Sequence, residues 1–208
     1  MKELDFAALL CSRLCHDLIS PVGAISNGIE ILNDEDDEAM RLEVMKLLDL
    51  SIGQTSNRLK FYRLAFGAAG GIGSQVPIRD ARNAAISLFE DTPTNLEWNS
   101  EIGELDKSAV KLALNMILVA SESLIRGGAL TLDITQADSK INLVVSVSAE
   151  RVIFQDKARL MICGQEELLE ADPKLAPAYL AASVAKELGS SIEYKPTSDG
   201  AFILRASI

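Results

Sequence analysis

The chain has 208 residues, between one and two domains by length and enough to bury a hydrophobic core without a disulfide or metal staple. Its 20 Lys and Arg stand against 30 Asp and Glu, a formal net charge of −10, so its surface repels phosphate backbones and anionic membrane, and no nucleic-acid partner is expected. Cys11, Cys15 and Cys163 cannot all pair, which fits a reducing compartment, and Met1-Lys2-Glu3-Leu4-Asp5 lacks the basic flank and apolar run of a secretion signal. No stretch approaches 18 uninterrupted apolar residues, so the expectation is a cytoplasmic protein with no membrane span.

In chain order, residues 2–33 read as one long amphipathic helix. Leu4, Cys11, Leu18, Ile25 and Leu32 recur at sevens with Ala7 and Leu14 between them, and Ala8, Cys15, Val22 and Ile29 broaden the stripe. The acidic run Asp34–Glu38 breaks the pattern where a turn would end and a second helix begin, since acids favour a helix N-terminus. It lacks the spacing and glycine of a calcium loop. A second stripe follows, Met45, Ile52, Leu59 and Phe66, interleaved with Leu48, Thr55 and Tyr62. Two heptad helices joined by a short turn make an antiparallel hairpin. A hairpin alone buries its stripes poorly, so a homodimer closing a four-helix bundle is expected.

Residues 67–75 are small and glycine-rich and carry no Lys-Ser/Thr pair, so they read as a linker rather than a phosphate loop. The division expected is a hairpin over 1–69, a linker over 70–76 and an α/β domain over 77–208. In that domain, 79–90 reads as helix and 96–98 as strand. Lys107–Ile125 is an apolar helix stopped by Gly127-Gly128. Residues 130–134 and 141–147 read as strands, 177–188 as helix, and 192–194 and 202–206 as closing strands. The class is α+β: a helical hairpin, then an α/β sandwich with helices on one face.

The chain holds a single histidine, His16, which removes two-histidine zinc motifs and any mechanism needing two imidazoles. With Cys11 as heptad position a, His16 falls at f, away from the seam. Cys11 and Cys15 fall on the core side, so the three do not make a metal site. Asp17 follows directly, Ser20 is one turn on, and Pro21 comes next. A proline within a helical pattern costs on the order of 3 kcal/mol and kinks the helix. A helix that only packs has little reason to carry it.

The sequence His16-Asp17-Leu18-Ile19-Ser20-Pro21 resembles the histidine-kinase phosphoacceptor motif H-[ED]-x-x-[NTS]-P, found on the first helix of a dimerising hairpin. The longer run from Leu14 to Glu30 is similar to the histidine phosphotransferases of alphaproteobacteria, which pass phosphoryl groups between receiver domains. The resemblance covers nearly the whole chain. It implies a dimeric four-helix bundle followed by a degenerate histidine-kinase ATPase-like α/β sandwich. It implies His16 as phosphoacceptor and Asp17 as the carboxylate that orients one ring nitrogen and accepts its proton. Ser20 either bonds the phosphoryl group or bonds the backbone beside Pro21. Ser12, Ile19 and Gly23, around the histidine, form the expected receiver-docking surface. The implied donor is the receiver of a hybrid histidine kinase, and the implied acceptors are response regulators of the cell cycle.

Imidazole suits this role, because its unperturbed pKa of about 6.5 leaves a neutral nucleophile at pH 7. Loose phosphoryl transition states need positioning and charge neutralisation more than covalent help. Nucleotide chemistry is not expected. In kinases of this class the long helix carries N-L-L-x-N-A, whose second Asn ligands Mg²⁺; here the match is Asn115-Met116-Ile117-Leu118-Val119-Ala120, with Val119 at the ligand position. The D-x-G-x-G box is missing near Ser148–Arg151, and Leu175–Leu180, with Pro177, replaces the glycine-rich lid. No cofactor of its own is expected, and the Mg²⁺ of the reaction belongs to the partner receiver. The alternatives are a receiver-docking adaptor without chemistry and an aspartyl-phosphate phosphatase.

Overall fold

The heptad hairpin forms. In a computed structural model that describes residues 3–67, 75–165, 172–197 and 201–208, α1 spans Glu3–Asp34 and α2 spans Glu38–Ala65. The acidic turn works as a cap: Asp37 accepts from the backbone N–H of Ala39 at 2.8 Å and of Met40 at 3.0 Å. Arg41 donates to Leu32 O and Glu35 O at 2.6 and 2.9 Å, satisfying carbonyls left over at the end of α1. α1 runs unbroken through Pro21, which is buried. Gly28 is buried as well; a Cβ there would lie 2.8 Å from Leu48 Cδ2, so the helices approach closely at this level.

Sequence and structure part over the stripe of α1. Leu14, Leu18, Ile25 and Leu32 are partly buried, whereas Leu4, Cys11, Cys15, Val22 and Ile29 are exposed in the single chain. Cys11 and Cys15 therefore do not sit on the core side of the hairpin, because a helix paired with one neighbour buries only one strip of so broad a stripe. On α2, Met45, Ile52 and Leu59 are likewise exposed. An 18-residue window of α1 averages a hydropathy of 1.2, long and apolar enough to cross a membrane by composition alone, but a buried ion pair sits in the middle of that helix.

Past the hairpin, β1 (Gln75–Pro77) pairs antiparallel with β3 (Glu104–Asp106). Gln75 and Val76, expected in the linker, thus belong to a strand; 68–74 lie outside the described residues. α3 covers Ile78–Phe89, β2 Thr94–Ser100 and α4 Lys107–Ser121. α4 ends earlier than its apolar run suggested, because the hydroxyls of Ser121 and Ser123 bond Leu118 O and Ala120 O and close the last turn. Gly127 (φ 83°) and Gly128 (φ 148°) then turn the chain against Pro93, where a Cβ on Gly127 would lie 2.1 Å from the proline carbonyl.

The main sheet has five strands in the order β2-β4-β5-β7-β6, with β4 at Gly128–Ala137, β5 at Lys140–Ser148, β6 at Glu193–Pro196 and β7 at Phe202–Ser207. β2 and β4 are parallel, joined through α4; the other pairs are antiparallel. Alternate residues face the helices and are buried: Leu130, Leu132 and Ile134, then Leu143, Val145 and Val147, then Phe202, Leu204 and Ala206. Two further helices, α5 (Asp156–Ile162) and α6 (Ala176–Glu187), follow, the latter led by a 3-10 turn at Pro173–Leu175.

The α/β domain packs directly on the hairpin. α2 meets α3 and α4, and α1 meets α6 and the 3-10 turn. Phe61 and Ala65 are fully buried there, and Phe6 meets Tyr179 at 5.0 Å between ring centroids. Asn115, fully buried on α4, donates to Ala65 O on α2 and to Lys111 O, both at 2.8 Å.

Candidate functional site

His16 projects from the middle of α1 with 69% of its side chain exposed. Its Nδ1 lies 3.1 Å from Asp17 Oδ1. The other carboxylate oxygen of Asp17, Oδ2, accepts from Arg13 Nε at 2.7 Å and from the Tyr62 hydroxyl of α2. The Asp17 carbonyl accepts from Arg58, also on α2. Arg13, 8% exposed, reaches on to Glu122 Oε1 at 2.6 Å, at the C-terminal end of α4. One chain of contacts therefore runs from the imidazole to both helices of the hairpin and into the α/β domain.

The local sequence accounts for two of these links. Arg13 and Asp17 are four apart on one helix and so meet on one face. Pro21 has no N–H, so the carbonyl four residues back, that of Asp17, has no helical donor. Arg58 supplies one from across the hairpin.

These contacts fix the charges. Burial alone would raise the Asp17 carboxyl, but the Tyr62 hydrogen bond and the charge of Arg13 outweigh it and hold the group below the ordinary carboxylate range. Burial, then the bond to Asp17, push the Tyr62 phenol well above its usual value. Burial opposes the charge of Arg13, yet Glu122 and Asp17 keep it protonated. Desolvation raises Glu122 in spite of Arg13. An ionised carboxylate can only accept, so Asp17 Oδ1 favours the tautomer in which the nitrogen facing it, Nδ1, carries the proton.

Beside the histidine lies a cleft of about 260 Å³ lined by Arg13, His16 and Asp17, by Val119, Glu122 and Ser123, and by Ile153, Phe154 and Lys174. Val119, at the kinase Mg²⁺-ligand position, forms part of its wall. Ala176 and Ala178, where a nucleotide lid would stand, are fully buried at the start of α6. Val119 offers no oxygen to a magnesium ion, and the packed start of α6 leaves no free glycine-rich backbone to cover a phosphate. Among the described residues no cluster of three or more His, Cys, Asp or Glu is placed to hold a metal ion.

The remaining expected residues fall on the outer face of α1. Ser12 is exposed, Ile19 is 72% exposed, and a Cβ on Gly23 would meet nothing within 4 Å. Ser20 is exposed and makes no side-chain hydrogen bond among the described residues, which leaves its hydroxyl available beside the histidine. Sequence reasoning placed Tyr62 in the packing stripe and did not single out Arg13, Arg58 or Glu122. The signals were there for two of them: an arginine one turn before Asp17, and a proline that orphans the Asp17 carbonyl.

Residues 78–200 match the family of the histidine phosphotransferase C-terminal domain. The chain is 35% identical over 201 residues to protein phosphotransferase ChpT of Brucella abortus (strain 2308), covering 96% of this chain and 94% of that one. It superimposes on the structure of a bacterial phosphotransferase with a TM-score of 0.87 at 33% identity, over 99% of this chain and 97% of that one. The histidine kinase domain of the blue-light activated kinase EL346 of Erythrobacter litoralis, at a TM-score of 0.50 and 9% identity over 91% and 93% of the two chains, shares the fold.

Proposed function

The chain belongs to the histidine phosphotransferase family and is a phosphotransferase, and we propose that it serves a two-component phosphorelay with His16 as its phosphoacceptor, taking a phosphoryl group from the receiver domain of a hybrid histidine kinase and passing it to response regulators without ATP. The observation that carries this reading is the exposed imidazole whose Nδ1 is engaged by Asp17 Oδ1 at 3.1 Å, leaving Nε2 as the nucleophile.

In the forward step the Nε2 lone pair attacks the phosphorus of the donor's aspartyl phosphate, the P–O bond to the aspartate breaks, and the carboxylate leaves. The positive charge that develops on the ring is balanced by Asp17, which holds the Nδ1 proton. In the second step an acceptor aspartate attacks the phosphorus and the N–P bond breaks, returning neutral His16. The Ser20 hydroxyl, a turn away, bonds a phosphoryl oxygen. The Mg²⁺ that screens the other oxygens is held by the receiver.

The receiver docks on the outer face of α1, over Ser12, Ile19 and Gly23, and reaches the rim of the α/β domain at Ile125 and Ile153, which are 64% and 38% exposed. Two linked surfaces acting at high effective concentration discriminate among receivers. The apolar residues left open on the hairpin, Val22, Ile29, Met45, Ile52 and Leu59, are covered by a second copy in a four-helix bundle. The chain works in the cytoplasm.

Mixing the protein with a phosphorylated receiver tests the reading. Label on His16, absent from His16→Ala, is the expected result. Release as free phosphate would replace relay with a phosphatase, and a receiver left fully phosphorylated would leave a docking adaptor. Titration calorimetry with ATP and Mg²⁺ is expected to show no binding.

A further inference from the structure

A neutral imidazole has two tautomers, and attack through Nε2 requires the proton on Nδ1. A carboxylate oxygen facing Nδ1 holds the proton there and makes that tautomer the major one. Asp17 is the residue after His16, and adjacent residues on a helix do not ordinarily face one another. A carboxylate free to rotate would leave the ring for solvent. Here it is not free. Tyr62 and Arg13 both donate to Oδ2, and Arg58 holds the main-chain carbonyl of the same residue. With one oxygen doubly occupied and the backbone pinned, only Oδ1 remains for the histidine.

We propose that Tyr62, Arg58 and Arg13 are positioning residues of the phosphotransfer site, which act through Asp17 to keep His16 in its Nδ1–H tautomer with Nε2 presented to the incoming phosphoryl group. The proposal deepens the assignment of His16 as phosphoacceptor and rests on it. Pro21 has a part in this arrangement, because its missing N–H is what makes the Asp17 carbonyl available to Arg58. Glu122 extends it into the α/β domain, since its contact with Arg13 at 2.6 Å orients the guanidinium that meets Asp17. The α/β domain thereby reaches the reacting histidine through two side chains.

The single histidine makes the test direct, since the imidazole ¹⁵N spectrum of the full chain reports His16 alone. In the unphosphorylated wild type we expect the Nδ1–H form to dominate. Tyr62→Phe keeps the ring, which stacks on Phe66 at 4.9 Å, and removes only the hydroxyl. We expect it to shift the population towards the other tautomer and slow phosphotransfer from a saturating phosphorylated receiver roughly tenfold, a fraction of the hundredfold or more that a whole proton acceptor supplies. Receiver affinity should stay unchanged. Arg58→Met should do the same, and Arg58→Lys, which restores a donor, should recover part of the rate. Glu122→Gln should give a smaller shift in the same direction. If Tyr62→Phe and Arg58→Met fold, bind receiver, and leave both tautomer and rate as in wild type, the positioning role is overturned. Absence of label on wild-type His16 would instead remove the phosphoacceptor assignment, whatever the tautomer spectra show.

Discussion

Two helices of this chain sit in opposite surroundings. In α4 every residue from Leu112 to Ala120 is buried, whereas α2, almost twice as long, buries only five, three of them in its last turns against the α/β domain. Both helices are rich in apolar side chains. The difference lies in where their partners come from. α4 is enclosed by the sheet, the other helices of its own domain and the end of α2, and serves as scaffold. The hairpin finds only part of its covering in this chain, and what stays open is the surface we propose for a second copy and a receiver. A core helix must be right in every residue; a docking helix must remain incomplete.

Four experiments sharpen or break that contrast. The largest effect is on chemistry: His16→Ala should abolish phosphate acceptance while changing stability by less than about 0.5 kcal/mol, because the ring is mostly exposed. Labelling by a phosphorylated receiver and a urea unfolding midpoint read the two sides. Next, Leu114→Ala in α4 should cost roughly 2–5 kcal/mol at any protein concentration. Ile52→Asp on the open face of α2 should instead dissociate the dimer in sedimentation, with little loss of helix signal. A wild-type chain that sediments as a stable monomer would leave the open face without a second copy to cover it, and the contrast would fail.

The third experiment concerns pH. Asp17 is depressed below its ordinary value, so its contribution to stability is present above that value and is lost as pH falls through the depressed one. Glu122 is raised, so its sign is opposite: its bound proton favours the folded state, and that contribution is lost as pH rises through its own value. Tyr62→Phe removes the leading favourable contact of the Asp17 carboxylate, so the variant should be less stable than wild type above the ordinary carboxylate range and lose less stability on acidification, the loss ending at a higher pH, measured by urea midpoints across the acid range. The smallest effect is Gly23→Ala. Nothing lies within 4 Å of the added methyl, so α1 should gain about 0.5–1 kcal/mol in thermal unfolding. A slower receiver reaction in the same variant would locate docking on that face.

Long, periodic elements were legible in the sequence, and so was the motif around His16. The helices α1 and α2, the strands β4 and β5 and the apolar run of α4 all announce themselves by spacing. β1 and β3, of three residues each, and the seven-residue α5 do not, because so few residues establish no period. The surroundings of His16 divide in the same way. Asp17 and Ser20 follow from local sequence, but Tyr62 lies 45 residues from Asp17 and Glu122 lies in another domain, and no local pattern encodes such a meeting. The misplacement of Cys11 and Cys15 has a related cause: a heptad reports that a face is apolar and not which of two partners covers it.

Asn115 joins the two regions in a further way. Its amide spans the gap between the last turn of α2 and the middle of α4, donating to the buried Ala65 O and to Lys111 O of its own helix. Turning α2 about its axis, or sliding it by one residue's rise, would pull Ala65 O away from an amide with no water to replace it. The end of the hairpin and the cleft wall on α4 are therefore geared as one body. On the proposed reading a receiver would meet His16 at a fixed height and angle over that wall, and recognition would come from the shape the incoming protein brings.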